Sequence, residues 1–109
     1  MINQINTTED YEALTAKKNV VVHFGANWNA HDRTMQRTLV ELEPEFGGSV
    51  IFGYVDIDRN ATLELFQRIN FVNGPTLIYF KNGEQVAIET GMRPMHDIRE
   101  KIQSLLATE

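Results

Sequence analysis

The chain has 109 residues and a formal charge of −5, with 42% hydrophobic and 23% charged residues. These values are typical of one globular domain over residues 1–109, and they exclude disordered and collagen-like classes. The sequence contains no cysteine. Its absence excludes disulfides, cysteine-ligated metals and a thiol nucleophile within these residues.

Charge and hydropathy also restrict the partners that we expect. No basic run is present to neutralise phosphates, so nucleic acid is not an expected partner. Residues 1–10 are polar and acidic and lack the basic-then-apolar order of a signal peptide, and no apolar run reaches membrane length. We therefore expect a cytoplasmic protein with no membrane partner.

Short β-rich runs alternate with segments of helical period in the first half of the chain. Residues 2–5 predict a weak strand, and Thr7 predicts the N-cap of a short helix. The continuous β-branched and aromatic run at 20–24 predicts a central strand that is covered on both faces. From about His31 an apolar stripe with helical spacing predicts a second helix: Met35, Leu39, Leu42 and Phe46. Gly47-Gly48 ends this helix.

The second half continues the alternation. Residues 50–57 predict another strand, and apolar residues at spacings of three from 63 to 69 predict a shorter helix. Asn82-Gly83 lies between β-rich runs at 76–80 and 85–90, which predicts an antiparallel hairpin. Pro94 opens a last helix. The predicted order is β-α-β-α-β-α-β-β-α, an α/β arrangement.

This order and several short segments resemble the thioredoxin family. The segments are residues 20–28, 55–58, 74–77 and 80–84, together with Gly91. The resemblance covers nearly the whole chain. It implies a thioredoxin fold, in which four helices flank a central mixed five-stranded sheet whose last two strands form an antiparallel hairpin. It also implies a cis bond before Pro75.

The chain departs from the family at the residues that carry its chemistry. Where thioredoxins have Trp-Cys-Gly-Pro-Cys, this sequence has Trp28-Asn29-Ala30-His31-Asp32. Disulfide exchange requires a thiolate that attacks sulfur, and neither an amide nor a carboxylate forms the mixed disulfide. Disulfide oxidoreductase activity is therefore not carried over. We expect that the protein is not an enzyme and that it uses no cofactor.

The resemblance places His23 at the position of the family's buried acid. It places Asp32 at the second-cysteine position, just above His23, and Tyr54 on the adjacent parallel strand. We predict a small buried polar network of these three residues, because an unsatisfied buried group costs roughly 1 to 3 kcal/mol. In one alternative, Asp32 caps the second helix and His23 is bonded locally. In another, His23, His31 and Asp32 perform acid/base chemistry on an unknown substrate. Adding His96 gives a set whose spacing matches no metal signature, so no metal site is predicted.

The resemblance also implies a binding surface. In thioredoxin-like folds, the patch around the tryptophan, the cis-proline loop and the glycine after the last strand binds extended peptide by main-chain hydrogen bonds. The equivalent residues here are Trp28, Ala30, Val72, Asn73, Gly74, Pro75, Gly91 and Met92. Trp28 is interpreted either as a recognition aromatic or as a half-buried indole.

Binding of peptide to such a patch needs no sulfur. The resemblance therefore implies a redox-inactive module for partner recognition, assembly or chaperone-like adaptation, whose partner is a protein or an extended peptide segment. The alternatives are the acid/base enzyme described above and a vestigial surface that binds nothing.

Overall fold

The structure is a computed structural model that describes residues 2–59, 63–69 and 74–108. Within these ranges the strands are β1 Ile2–Ile5, β2 Asn19–Gly25, β3 Ile51–Asp56, β4 Thr76–Lys81 and β5 Glu84–Thr90. The helices are α1 Thr8–Thr15, α2 Ala30–Phe46, α3 Leu63–Ile69 and α4 Met95–Ala107. This order is the one that the sequence pattern predicts.

The strands form one mixed sheet in the order β1-β3-β2-β4-β5. The β1–β3 and β2–β3 pairs are parallel, whereas the β2–β4 and β4–β5 pairs are antiparallel. The hairpin between β4 and β5 turns at Asn82 and Gly83, which have φ values of 53° and 85°. Positive φ at both central residues is the geometry that suits a two-residue hairpin loop. The predicted α/β class, mixed sheet and hairpin are confirmed.

The central strand β2 separates two apolar layers. Val20, Val22 and Phe24 pack with residues of α1 and α3 on one face of the sheet. Val21 packs on the other face with α2 and α4. Because side chains alternate along a strand, His23 points to the same face as Val21 and lies beneath α2. The strand thereby places one polar side chain in an otherwise apolar layer.

Local signals in the sequence set the ends of the helices. The hydroxyl of Thr7 accepts a hydrogen bond from the amide of Asp10 at 3.0 Å, as expected for the N-cap of α1. Gly47 follows α2 in the left-handed conformation with a φ of 52°, which a residue with a side chain adopts only with strain. In the described part of the chain, no helix combines the length and the apolar character that crossing a membrane requires.

Candidate functional site

The candidate site lies where β2 ends and α2 begins. β2 ends at Gly25, and α2 starts five residues later at Ala30. Asn29 caps α2, because its side-chain oxygen accepts hydrogen bonds from the amides of His31 and Asp32 at 2.9 and 3.1 Å. The alternative in which Asp32 caps this helix is therefore wrong. The cap is the first residue of the segment that replaces the family's Cys-x-x-Cys.

The carboxylate of Asp32 is buried against Gly74. Asp32 is only 3% exposed. One carboxylate oxygen, Oδ1, lies 3.1 Å from His23 Nε2, and the other accepts a hydrogen bond from the Ala26 amide at 3.0 Å. Each oxygen thus has a partner inside the protein, which a buried carboxylate requires.

His23 is completely buried and is bonded on both sides of its ring. Its Nδ1 atom lies 2.8 Å from the side-chain oxygen of Gln36, and its Nε2 atom faces Asp32. Both ring nitrogens therefore face oxygen acceptors.

Gln36 is the member of this network that sequence reasoning missed. It lies one helical turn after Asp32 on α2, so the two side chains project from the same face of the helix. The i, i+4 spacing of an acid and an amide next to a buried histidine is the signal that could have found it.

Two glycines make room for the buried carboxylate. A Cβ atom on Gly74 would lie 2.7 Å from each carboxylate oxygen of Asp32, which is closer than real contacts allow. A Cβ atom on Gly25 would lie 2.7 Å from His23 Nε2 and would also overlap with Asp32. The Gly74–Pro75 bond is cis. The carboxylate is therefore enclosed between the end of β2 and the segment before β4.

Tyr54 lies beside the network but bonds elsewhere. Its ring centroid is 5.1 Å from that of His23, and its hydroxyl donates to the side-chain oxygen of Asn27 at 3.1 Å. The sequence-based network assigned this hydroxyl to His23 and Asp32, and the structure corrects that assignment. Burial first, and then the negative charges of Asp56, Asp32 and Asp58, raise the pKa of Tyr54 well above its usual value. The hydroxyl consequently stays protonated and acts as a donor.

Trp28 is exposed rather than half-buried. The side chain is 68% exposed, and its indole N–H donates to the carboxylate of Asp58 at 2.7 Å. This hydrogen bond ties one edge of the ring to the loop after β3 while its face remains open to solvent. An exposed aromatic ring held in place is a common feature of recognition surfaces.

The other residues of the predicted binding surface lie nearby or outside the described ranges. Ala30 and Met92 are exposed, whereas Pro75 is buried. The Gly91 amide donates to the Pro75 carbonyl at 2.8 Å, and this contact joins the end of β5 to the start of β4. Val72 and Asn73 lie outside the residues that the structure describes.

The remaining histidines do not join the buried pair. His31 is exposed at the start of α2, and His96 is exposed in the first turn of α4. Among the described residues, no group of three or more potential metal ligands comes together. The acid/base alternative is also disfavoured, because His23 is fully buried, Asp32 is only 3% exposed and both are hydrogen-bonded within the protein.

Comparison with known proteins agrees with this architecture. The family model described as "Thioredoxin" matches residues 2–104. Thioredoxin C-2 of Corynebacterium nephridii is 36% identical over 93 residues, which cover 83% of this chain and 84% of that protein. The thioredoxin of Bacillus subtilis is 27% identical over 100 residues, which cover 92% of this chain and 94% of that protein.

A solved structure shows the same fold. The thioredoxin of Trypanosoma brucei brucei superimposes with a TM-score of 0.88 at 21% identity, over 99% of this chain and 93% of that one. Taken with the family model, these findings show that the chain belongs to the thioredoxin family. It does so without a cysteine among its 109 residues.

The first prediction concerns the buried pair. Asp32→Ala leaves the Nε2 atom of His23 and the Ala26 amide without a partner, so we expect a loss of about 3 to 5 kcal/mol in the free energy of unfolding. The double change His23→Phe with Asp32→Asn is expected to stay within about 1 kcal/mol of the wild type, because no buried charge is left unpaired. Urea unfolding of His23→Phe, of Asp32→Asn and of the double variant measures the coupling between the two positions.

Asn29→Ala is the control for this cycle. Removal of the cap is expected to cost about 1 kcal/mol, independent of the residue at position 23. Additive effects of His23 and Asp32 in the cycle would contradict an energetic role for their contact.

The second prediction concerns Gly74. Its φ does not lie in the left-handed region, so alanine fits the backbone and only the carboxylate of Asp32 opposes the new methyl group. We expect Gly74→Ala to lower the free energy of unfolding by about 1 to 3 kcal/mol through overpacking. In an Asp32→Ala background the same change is expected to cost less than about 0.5 kcal/mol. An equal cost in both backgrounds, measured by urea unfolding, would show that the carboxylate does not require this glycine.

Proposed function

We propose that this chain is a redox-inactive member of the thioredoxin family that binds a protein or an extended peptide segment. The binding surface is formed by Trp28, Ala30, the Gly74–Pro75 segment, Gly91 and Met92. Its role is partner recognition, assembly of a complex or chaperone-like adaptation. The observation that carries this proposal is that the amide and carbonyl of Gly74 have no hydrogen-bond partner among the described residues.

Gly74 has main-chain groups available to a partner. Among the residues that the structure describes, neither its amide nor its carbonyl has a hydrogen-bond partner. Gly74 precedes β4, and the buried carboxylate of Asp32 lies directly against it. A free amide and carbonyl beside a sheet are the groups to which an extended peptide bonds.

The exposed ring of Trp28 provides apolar contact area on the same surface. Its indole N–H is already bonded to Asp58, so binding of a partner need not satisfy it. Aromatic side chains of this kind contribute strongly to protein interfaces because they bury a large area with little loss of rotamer freedom. Main-chain hydrogen bonds and apolar contact together support binding of an extended segment, and neither requires ion pairs with that segment.

The residues at the two positions that hold cysteines in thioredoxins make hydrogen bonds within this protein. Asn29 caps α2, and Asp32 is bonded to His23 and to the Ala26 amide. Neither group forms a mixed disulfide, so a bound partner is held by noncovalent contacts alone. This saturation supports binding rather than chemistry at the site.

The third prediction is the absence of disulfide reductase activity. In an insulin turbidity assay driven by dithiothreitol, we expect no acceleration over buffer, because no residue of the chain attacks a disulfide sulfur. A cysteine-containing thioredoxin serves as the positive control. Acceleration by a pure sample would contradict the redox-inactive assignment.

The fourth prediction concerns the binding surface. Affinity capture with the wild type identifies candidate partners, and each captured protein is then purified and titrated against defined variants. We expect Trp28→Ala to weaken binding by about tenfold or more, as for a central aromatic contact. Trp28→Phe is expected to retain most of the affinity, because it keeps the exposed ring.

Val86→Ala is the matched control, since Val86 is also an exposed apolar residue but lies on β5. A partner whose affinity falls with Val86→Ala and not with Trp28→Ala would bind elsewhere and would overturn this proposal.

A further inference from the structure

A small groove adjoins the proposed binding surface where β5 leads into α4. It lies between α2 and the segment that joins β5 to α4, and its volume is about 270 Å³. Pockets for small-molecule ligands usually range from about 300 to 1,000 Å³, so this groove suits a single side chain better than a whole ligand. The described residues that line it are Thr34, Thr38, Met92, Arg93, Pro94 and Met95.

The groove is continuous with the proposed surface through Met92 and Ala30. Met92 belongs to both, and it directly follows Gly91, whose amide is bonded to the carbonyl of the residue before β4. Thr34 lies one turn after Ala30 on α2, so the two side chains share a face of the helix, about 6 Å apart along its axis. An extended segment on the proposed surface therefore passes the opening of the groove.

The threonines on the α2 side need no hydrogen bond from an occupant. The hydroxyl of Thr34 donates to the Ala30 carbonyl at 3.1 Å and accepts from Arg37 at 3.3 Å. The hydroxyl of Thr38 donates to the Thr34 carbonyl at 3.1 Å. Both hydroxyl protons are thus engaged within the helix, and the methyl groups are left for apolar contact. This wall of the groove suits an apolar side chain.

The opposite wall is formed by methionines, a proline and an ion-paired arginine. Met92 is 41% exposed, whereas Met95 is half-buried and also packs on the apolar layer beneath α2 and α4. Methionine side chains adapt their shape, and surfaces lined by them accept apolar groups of different shapes. The Nε atom of Arg93 lies 3.8 Å from a carboxylate oxygen of Glu89. The described lining of the groove therefore presents no unpaired charge to an occupant.

We propose that this groove binds one large apolar side chain of the partner's extended segment, which anchors the segment beside the residues that bond to the main chain. This inference rests on the proposed function and specifies its partner: a segment with leucine, methionine or phenylalanine at the anchor position, and not aspartate, glutamate or lysine. Burial of an apolar side chain is favourable in proportion to the area removed from water. A charged side chain would lose its hydration there without meeting an opposite charge.

The test uses four blocked peptides of the sequence Thr-Ser-Thr-Xaa-Thr-Ser-Thr, in which Xaa is leucine, alanine, glutamate or lysine. Each peptide is titrated into the isotope-labelled protein and followed by two-dimensional NMR at pH 7 and constant ionic strength. We expect the leucine peptide to produce saturable shifts at the amides of Thr34, Thr38 and Met92 and at the methyl group of Met95. It is expected to bind about tenfold more tightly than the alanine peptide, because leucine buries three additional carbon atoms. The glutamate and lysine peptides are expected to bind no more tightly than the alanine peptide.

Thr38 offers a matched pair of variants, because its side chain lines the groove. Thr38→Glu places a carboxylate in the groove and is expected to weaken binding of the leucine peptide by about tenfold or more. Thr38→Val keeps the shape of the side chain, and binding is expected to stay within about twofold, since the hydroxyl is bonded within α2. Ser104→Glu is the control: it makes the same charge change at an exposed position of α4 that does not line the groove, and its effect is expected to stay below about twofold.

The outcomes separate this inference from the proposed function. Equal affinities of the leucine and alanine peptides, with shifts at Trp28 and Gly91 in both titrations, would overturn the anchor groove and leave the proposed surface in place. Tight binding of the glutamate or lysine peptide, or equal effects of Thr38→Glu and Ser104→Glu, would overturn it in the same way. If none of the four peptides produced saturable shifts, the result would count against the proposed function itself, and the anchor groove would fall with it.

Discussion

Burial of the Asp32 carboxylate is the constraint on which the rest of this site depends. A carboxylate that is almost removed from water requires a hydrogen bond at each oxygen, and it obtains them from His23 and from the amide of Ala26. The group also needs space, which exists because Gly25 and Gly74 have no side chains. One carboxylate thus constrains four residues from two segments of the chain, residues 23–26 and Gly74.

The same buried carboxylate distinguishes the residues at the cysteine positions from the groups that we propose to bind a partner. Asp32 and Asn29 occupy the positions at which thioredoxins carry cysteines, and hydrogen bonds within the protein engage both side chains. Among the described residues at this end of the sheet, the main chain of Gly74 has no hydrogen-bond partner and the ring of Trp28 is exposed. The binding that we propose uses these groups and not the residues at the cysteine positions, so it does not require a thiol.

The fold was predictable because its signals are local. The β-branched run of β2, the apolar stripe of α2 and the Asn82-Gly83 turn each determine an element within a few residues. The contact between His23 and Asp32 followed from the resemblance to thioredoxins. The sequence did not predict the hydrogen-bond partners of the polar side chains, since the choice of partner depends on how side chains of different strands and helices point toward one another. Asn29 and Asp32 are both good capping residues, and only the backbone at the start of α2 decides between them.

The central strand connects two polar regions that the core keeps apart. Asn19 at its beginning donates to the Ser49 carbonyl, and His23 near its end contacts Asp32. Four residues along a strand span about 13 Å. Val21, which points to the same face between them, is fully buried in the apolar layer with α2 and α4. Because polar groups this far apart and without shared partners act nearly independently, substitutions at Asn19 and at His23 are expected to change the free energy of unfolding additively.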